Sequence, residues 1–485
     1  MTGKITVHII FIITCMLTIY LILRRPYLFI RIGSRNLKIE SYFLGALLGP
    51  ILIMIFGILD YTQVINGLKG GHGLNPCGIL VLFLSMVFMS IFLDITGFFE
   101  CCARLALNWA GSDGTRLFFA LYAVVSLLTI FTSNDIIILT LTPFIYYFAR
   151  SAQIDPKPYL IAEFFAANTW SMMLYIGNPT NILLAAAFGL HFDKYFKWMF
   201  LPTLAAGLVS VFGLFFIFRK SISKPLMADC QSTDSDGLSA SPRYARESGN
   251  PGEVIDPFDA LTDKPGAVLG LVLLSGCIVA LAIAPRLGIE MWVISLAFAL
   301  ALLIILVARD SSMAWLRKSM NREGRSRFTV GSTLRKMPWT VVPFVLSLFI
   351  TVEALHLYGV TSEVGIFFKS ICGTSSAAYG LVYGISSALS ANFLNNIPMT
   401  VAFVSVIRGL SGKNLLAAAL ATAAGSNLGA NLTPIGALAG IMWMSILNTK
   451  DFHLSFKEFV YYGLLITPLT LIACLGVLAL ELAIC

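Results

Sequence analysis

The sequence predicts an all-α membrane protein with about ten transmembrane helices and two re-entrant hairpins. These form two inverted repeats of five crossings, each with one broken helix. Of the 485 residues, 58% are hydrophobic and 12% are charged, whereas about 25% are charged in soluble domains. Apolar runs of roughly 20 residues, the length of a spanning helix, recur along the chain. Four further apolar segments are interrupted by polar residues or helix breakers.

The two repeats, residues 1–218 and 265–485, show the same order of elements. In the first, the order is three spans at 5–23, 41–60 and 77–99, a hairpin at 117–149 (hairpin 1), a broken helix at 159–190 and a last span at 196–218. In the second, it is three spans at 265–285, 289–308 and 338–357, a hairpin at 377–407 (hairpin 2), a broken helix at 414–447 and a last span at 459–482. Residues 219–264 are rich in Ser, Asp, Pro and Gly, which predicts a disordered linker.

Both hairpin segments are just over thirty residues long and polar at the centre. Two full spans need about 40 residues plus a turn, so each segment is too short to cross and return. We therefore expect each to enter the membrane halfway and leave by the same face. Irregular backbone at that depth needs cover from protein or from a water-filled cavity.

The broken helices are predicted from helix breakers inside apolar runs. The first contains Gly-Asn-Pro-Thr-Asn at 177–181, and the second contains Gly-Ser-Asn from Gly425 and Thr433-Pro434. A proline at the first turn after a polar cap is a helix-start signal. Because each half makes an odd number of crossings, the second half must have the opposite orientation, as in secondary transporters.

The distribution of Lys and Arg predicts the orientation in a cell membrane. Residues 24–40 and 309–337 are strongly basic, whereas the loop 61–76 has Lys69 as its one Lys or Arg. By the positive-inside rule, both termini lie outside, and the 219–264 and 309–337 loops are cytoplasmic. Hairpin 1 then opens to the cytoplasm and hairpin 2 to the exterior.

The four discontinuous segments contain amides, hydroxyls and free helix ends but no Lys or Arg. The candidate solute- or ion-binding residues are Thr132, Ser133 and Asn134 in hairpin 1, Asn178, Thr180 and Asn181 in the first broken helix, Asn392, Asn395 and Asn396 in hairpin 2, and Ser426, Asn427, Asn431 and Thr433 in the second broken helix. Such a site suits a neutral or polyhydroxy solute, because an anion usually needs Arg, Lys or co-bound cations such as Na⁺.

Two charged residues lie in these segments. Asp135 is the candidate carrier of the coupling proton, because ionisable groups at membrane depth are costly and often functional. The alternative is that Asp135 only caps the second helix of hairpin 1. Glu163, near the start of the first broken helix, is expected to face water.

Several motifs resemble the arsenite efflux membrane subunit (ArsB) family, within the superfamily that also holds NhaD-type antiporters and dicarboxylate symporters. They are Leu93-Asp94-Ile95-Thr96-Gly97-Phe98-Phe99-Glu100, Ser133-Asn134-Asp135 with Leu141-Thr142-Pro143, Asn395-Asn396-Ile397-Pro398-Met399, and Gly425-Ser426-Asn427-Leu428-Gly429 followed by Leu432-Thr433-Pro434-Ile435-Gly436 and Trp443. The resemblance implies export of hydroxylated trivalent arsenic or antimony in exchange for protons. It also implies a fixed scaffold, a moving transport domain and, in some members, a partner ATPase. A homodimer is a further possibility.

Other functions remain open at this point. The same fold class includes sodium-coupled carboxylate carriers and sodium/proton antiporters, and a passive channel is a possibility of another class. An intramembrane enzyme is disfavoured, since paired catalytic acids and a His cluster are lacking at matched depth. No resident cofactor or nucleic-acid partner is expected beyond bound Na⁺, and without a Walker P-loop any use of ATP would need a partner.

Overall fold

The computed structural model describes residues 2–25, 27–32, 35–69, 75–223, 256–319, 329–450, 452 and 454–484. The helices of the first half are α1 (Thr2–Arg24), α2 (Tyr42–Ile55), α3 (Tyr61–Lys69), α4 (Pro76–Ile95), α5 (Phe98–Ala110), α6 (Gly114–Phe131), α7 (Asn134–Ser151), α8 (Lys157–Trp170), α9 (Pro179–Ala187) and α10 (Phe192–Ile222). Those of the second are α11 (Lys264–Leu287), α12 (Met291–Ser319), α13 (Thr329–Lys336), α14 (Val341–Leu357), α15 (Val360–Cys372), α16 (Ser376–Leu394), α17 (Asn396–Ile407), α18 (Gly412–Gly429), α19 (Leu438–Asn448) and α20 (Phe456–Ile484).

The all-α membrane class is confirmed. Within the described ranges, eight helical stretches are long and apolar enough to cross a bilayer. They lie in α1, α4, α6, α10, α11, α12, the Thr329–Leu357 stretch that contains α13 and α14, and α20. Their high apolar content follows from the low cost of burying such side chains in lipid compared with water.

Both predicted hairpins are pairs of helices that meet at a polar break. Hairpin 1 consists of α6 and α7, joined at Thr132 and Ser133. Hairpin 2 consists of α16 and α17, joined at Asn395, which has a φ of 71°. With a ψ of 153°, this backbone conformation is one that residues other than glycine rarely adopt, so the contacts around Asn395 must hold it there. Whether hairpin 1 re-enters rather than crosses stays a prediction, since α6 has the length and hydropathy of a span.

Both predicted broken helices are interrupted, but the second break begins later than predicted, because Gly425, Ser426 and Asn427 still belong to α18. In the first, a 3₁₀ turn at Tyr175–Gly177 separates α8 from α9, and the Asn178 side chain accepts a bond from the Thr180 backbone N–H at the start of α9. In the second, residues 430–437 separate α18 from α19. Each break leaves helix-terminal backbone groups next to polar side chains.

A pair of short helices was not predicted. Residues 100–116 were assigned to a loop, but α5 occupies most of them, and α15 stands at the matching place in the second half. Each has 13 residues and lies between two glycines with positive φ, Gly97 and Gly111 around α5 and Gly359 and Gly373 around α15. They lack a continuous apolar run, which is why hydropathy does not reveal them.

The connection between the repeats also differs from the prediction. Residues 219–222 belong to α10, and Pro257–Ala260 forms a 3₁₀ turn against α5, so the ends of the predicted linker are ordered. Residues 224–255 lie outside the described residues. The basic 24–40 region contains an antiparallel hairpin, Tyr27–Ile32 with Arg35–Glu40, in which Tyr27 is opposite Glu40.

The helices pack into two groups. The first contains α1, α2, α4, α11, α12 and α14, and the second contains the two hairpins, the two broken helices, α10 and α20. We name them the scaffold and the transport core, after the parts that the resemblance implies. Within the transport core, α16 and α18 lie backbone to backbone. A Cβ on Gly425 would stand 2.0 Å from the Ser387 hydroxyl, and one on Gly429 would stand 2.5 Å from the Ala388 carbonyl oxygen.

Candidate functional site

The centre of the candidate site is Asn427, at the end of the second broken helix's first part. Its Oδ1 accepts hydrogen bonds from Asn178 Nδ2 at 2.9 Å and from Ser171 Oγ at 2.8 Å. Its own Nδ2 donates to Asn181 Oδ1 at 2.7 Å. The neighbouring Ser426 hydroxyl donates to Thr180 at 2.8 Å. The two broken helices are therefore joined by side chains that are fully buried.

A second chain of amides links hairpin 1 to the same place. Asn134 Nδ2 donates to Asn168 Oδ1 at 3.0 Å, and Asn168 Nδ2 donates to Asn431 Oδ1 at 3.0 Å. The sequence analysis missed Asn168. It could have been found from the repeat, because Asn168 lies eight residues before the Ile176-Gly pair, as Asn427 does before Ile435-Gly.

Hairpin 2 contacts the break of the second broken helix directly. Asn395 Nδ2 donates to the Ile435 carbonyl at 3.2 Å, and the Asn396 backbone N–H donates to Gly436 at 3.0 Å. Asn392 accepts a 2.6 Å bond from the Thr433 hydroxyl. All four discontinuous segments thus meet around residues 426–436, hairpin 1 through Asn168.

The hairpin tips present oxygen atoms that have no partner. Ser133 Oγ, Asn134 Oδ1 and Asn396 Oδ1 are buried, and no hydrogen bond reaches them from the described residues. Asn134 and Asn396 are the first residues of α7 and α17, so they occupy matching places in the repeats. Thr132, in contrast, uses its hydroxyl locally on the Leu128 carbonyl at 2.6 Å. Buried polar atoms without partners are rare and often mark a ligand's place.

A cavity of about 2850 Å³ leads to this site between the two groups of helices. Its inner end is lined by Ser133 and Asp135 of hairpin 1 and by Pro434 and Ile435. Its other end is lined by residues of the loops predicted to be cytoplasmic, including Glu100, Asp263, Arg309, Lys336 and Thr449. The asparagine network lies behind the inner wall rather than in the cavity itself.

Asp135 faces this cavity as a partly exposed carboxyl group. Its side chain makes no hydrogen bond or ion pair with the part of the chain that the structure describes. Glu40, on the scaffold side of the same cavity, is near enough to interact with it electrostatically. An acid without a neighbouring cation can exchange a proton with solvent in the cavity.

Asp94 connects the scaffold to hairpin 1. Its Oδ1 accepts a 2.8 Å bond from Thr140 of α7, and its Oδ2 accepts a 2.8 Å bond from Lys336 of α13. The sequence analysis gave Asp94 no binding role, and the structure places it at an interface between the two groups of helices.

Glu163 does not face water, and that expectation was wrong. It lies in the middle of α8 with 1% of its surface exposed, and the Thr142 hydroxyl of α7 is 2.9 Å from its Oε1. Position along a helix does not specify which side of the helix is covered, and here hairpin 1 and α19 cover it.

Comparison with known proteins identifies the family. The sequence model of the citrate transporter family, CitMHS, matches residues 39–424. The chain belongs to the CitMHS family. It is therefore a multi-pass membrane protein and a secondary transporter of the ion-transporter superfamily. The expected resemblance to arsenite pumps is also confirmed by curated relatives of this CitMHS protein.

The arsenical pump membrane protein of Escherichia coli (strain K12) is 27% identical over 447 residues, covering 90% of this chain and 93% of the relative. That of Yersinia enterocolitica is 25% identical, covering 83% and 86%. Two solved structures share the fold. The YdaH transporter of Alcanivorax borkumensis has a TM-score of 0.52 at 13% identity, covering 99% and 98%, and MtrF of Neisseria gonorrhoeae has 0.51 at 12%, covering 99% and 94%.

Proposed function

We propose that this protein exports arsenite and antimonite in exchange for protons, by an elevator-type movement of the transport core against the scaffold. The observation that supports this most directly is the chemistry of the site. Buried amides and hydroxyls converge without any Lys or Arg, and one acid, Asp135, stands at the entrance. Hydroxylated arsenic is neutral and needs only donors and acceptors, whereas a carboxylate would need a cation to offset its desolvation.

The proposed cycle uses Asp135 as the proton carrier. In the conformation described, Asp135 faces the cavity on the side predicted to be cytoplasmic, and the asparagine network lies behind the inner wall of that cavity, so the proton leaves and the solute enters from this side. The transport core then carries the solute to the other side, where Asp135 takes up the next proton. The Thr140–Asp94 bond joins the moving hairpin 1 to the scaffold, so it must break during this step.

The proton motive force is sufficient for useful export. One elementary charge moving through 100 mV is worth about 2.3 kcal/mol. Since about 1.4 kcal/mol corresponds to a factor of ten, one inward proton per neutral solute sustains roughly a 50-fold gradient. Export would therefore not require ATP, and a partner ATPase would add to this drive.

The test is arsenite resistance in a sensitive host, measured with and without a protonophore. We expect resistance that the protonophore abolishes. The same chain in everted vesicles should accumulate arsenite when a pH gradient is imposed. Resistance that survives the protonophore, or a unitary conductance in planar bilayers, would contradict proton exchange, and the second result would favour a channel.

Sodium coupling is a second candidate with its own observation. Ser133 Oγ, Asn134 Oδ1 and Asn396 Oδ1 are hard oxygen atoms, buried and without protein partners. Such atoms suit an alkali cation, and bound Na⁺ could offset the charge of a carboxylate solute. Sodium-dependent uptake of a labelled carboxylic acid would support this carrier over the arsenite exporter.

A further inference from the structure

Glu163 is a buried acid to which the proposed transport cycle gives no role. It occupies the middle of α8, which packs against α6, α7, α10 and α18 and, through the ring of Phe164, against α19 and α20. Beside it, Phe164 packs against Trp443 at 5.1 Å and against Phe459 at 5.2 Å between ring centroids. An isolated carboxylate in such an apolar place carries a large desolvation cost.

No cation offsets that cost in the parts of the chain described. The charged side chains on α8 and its neighbours lie within about two turns of helix ends and are Arg116 on α6, Asp135 and Arg150 on α7, Lys157 on α8, Asp193, Lys194, Lys197, Arg219 and Lys220 on α10, Lys413 on α18, and Lys457, Glu458 and Glu481 on α20. Of these, Lys157 pairs with Glu458 at 2.6 Å. None forms an ion pair or hydrogen bond with Glu163.

The contacts of the Thr142 hydroxyl indicate that the Glu163 carboxyl group carries a proton. Thr142 Oγ1 lies 2.6 Å from the Ile138 carbonyl oxygen, and 2.9 Å and 3.1 Å from the two Glu163 oxygens. A hydroxyl has one hydrogen, and a carbonyl oxygen can only accept. If the hydroxyl hydrogen occupies the shorter contact to Ile138, the hydrogen between Thr142 and Glu163 must come from the carboxyl group.

We infer that Glu163 keeps its proton throughout the transport cycle and acts as a positioning residue that ties hairpin 1 to both broken helices. Its carboxyl O–H donates to Thr142 of hairpin 1. Trp443 of the second broken helix lies near enough to interact with the same carboxyl group, and its buried indole Nε1 has no hydrogen-bond partner among the described residues. The three discontinuous segments then move as one body.

The second repeat supports a neutral group at this place. Counting five residues before Asn427, as Glu163 is five before Asn168, gives Thr422, which is also fully buried. The fold therefore accommodates an uncharged side chain at the matching position of the second repeat and does not require a charge there.

The experiment is infrared spectroscopy of the purified full-length protein at pH 7, which does not depend on any substrate. The wild-type spectrum minus that of Glu163→Gln should contain the carbonyl band of a protonated carboxyl group. A difference spectrum with carboxylate bands instead would overturn the inference. Thr142→Val keeps Glu163 and should shift the same band to higher frequency, so the inference remains testable if Glu163→Gln does not fold.

Transport provides a second, independent readout. Glu163→Gln should transport with the wild-type pH profile and less than a twofold change in rate, because the amide can still donate to Thr142. Glu163→Ala should lower both the rate and the melting temperature. A pH profile that changes in Glu163→Gln would assign Glu163 to proton coupling instead. If no solute is transported by the wild type, the proposed function fails while the infrared result still decides the protonation of Glu163.

Discussion

Asn178 donates a 2.9 Å hydrogen bond to Asn427 Oδ1 across the boundary between the two repeats. The two residues are 249 positions apart in the chain. Asn178 lies directly before α9, and Asn427 lies near the end of α18, just before the second break. The halves are thus joined at the site by side-chain amides, which can rearrange around a solute more easily than a continuous helix can.

Replacing Asn427 tests whether these amide hydrogen bonds between the repeats contribute to solute binding. In Asn427→Ala, the amides of Asn178 and Asn181 lose their partner, and an unsatisfied buried group costs about 1–3 kcal/mol. We expect the apparent affinity for arsenite to fall about tenfold to hundredfold. Asn414→Ala is the matched control, since Asn414 is on the same helix but bonds Ser376 far from the break. Equal losses in both variants would refute a binding role for Asn427.

Replacing Asp135 tests the coupling. Asp135→Asn keeps the size and removes the titrating group, so we expect exchange of bound solute to persist while pH-driven accumulation is lost. The measurement is arsenite uptake into everted vesicles over a range of imposed pH gradients. Asp113→Asn, in the exposed cap of the same hairpin, should retain the wild-type profile. An unaltered pH dependence in Asp135→Asn would leave Asp135 with a capping role alone.

Replacing Thr140 tests the contact between hairpin 1 and the scaffold. Thr140→Val removes the bond to Asp94, while Lys336 continues to pair with that carboxylate. A hydrogen bond to a charged group contributes about 1.5–3 kcal/mol, so we expect about a tenfold smaller share of the conformation described. The share can be read from maleimide labelling of Ser445→Cys, which lines the cavity, in a background in which Cys77, Cys102, Cys230 and Cys485 are replaced by Ser.

Thr115→Val provides the control for this measurement. Thr115 is on the first helix of the same hairpin, and its side chain does not contact Asp94. Labelling at the wild-type rate in both threonine variants would show that the Thr140 contact does not favour this conformation.

Two glycine-to-alanine variants distinguish the effect of close packing between helices from the effect of helix propensity. Gly425→Ala would push a methyl group into the Ser387 hydroxyl and the Gly384 carbonyl, at 2.0 Å and 2.3 Å, so α16 and α18 must move apart. Overpacking of this kind costs about 1–3 kcal/mol, and we expect a lower melting temperature and slower transport. Gly380→Ala, where no atom lies within 4 Å, should be neutral or stabilising. A larger drop in melting temperature for Gly380→Ala than for Gly425→Ala would contradict the close packing of α16 and α18.

The sequence predicted the breaks well because their signals are local. Pro179 after Asn178 marks the start of α9 directly, and Thr433-Pro434 lies inside the irregular residues 430–437 between α18 and α19. The short helices α5 and α15 could not be predicted from hydropathy, since they present apolar residues on one face only. Asn168 and Glu163 were misjudged for another reason. Their importance depends on which side of α8 is covered, and tertiary packing decides that.

The turn at Pro257–Ala260 has a mechanical consequence. The Ala260 carbonyl would be 2.0 Å from a Cβ on Gly97, and the Thr262 N–H donates to the Thr96 carbonyl at 2.9 Å. The chain that returns from the long connection is therefore attached to Thr96 and Gly97, just before α5 begins. At Gly359, the residue that precedes α15, an added Cβ would have no atom within 4 Å. A displacement of the connecting chain would therefore be transmitted to the start of α5, whereas the matching glycine before α15 has no close neighbour through which a displacement could act.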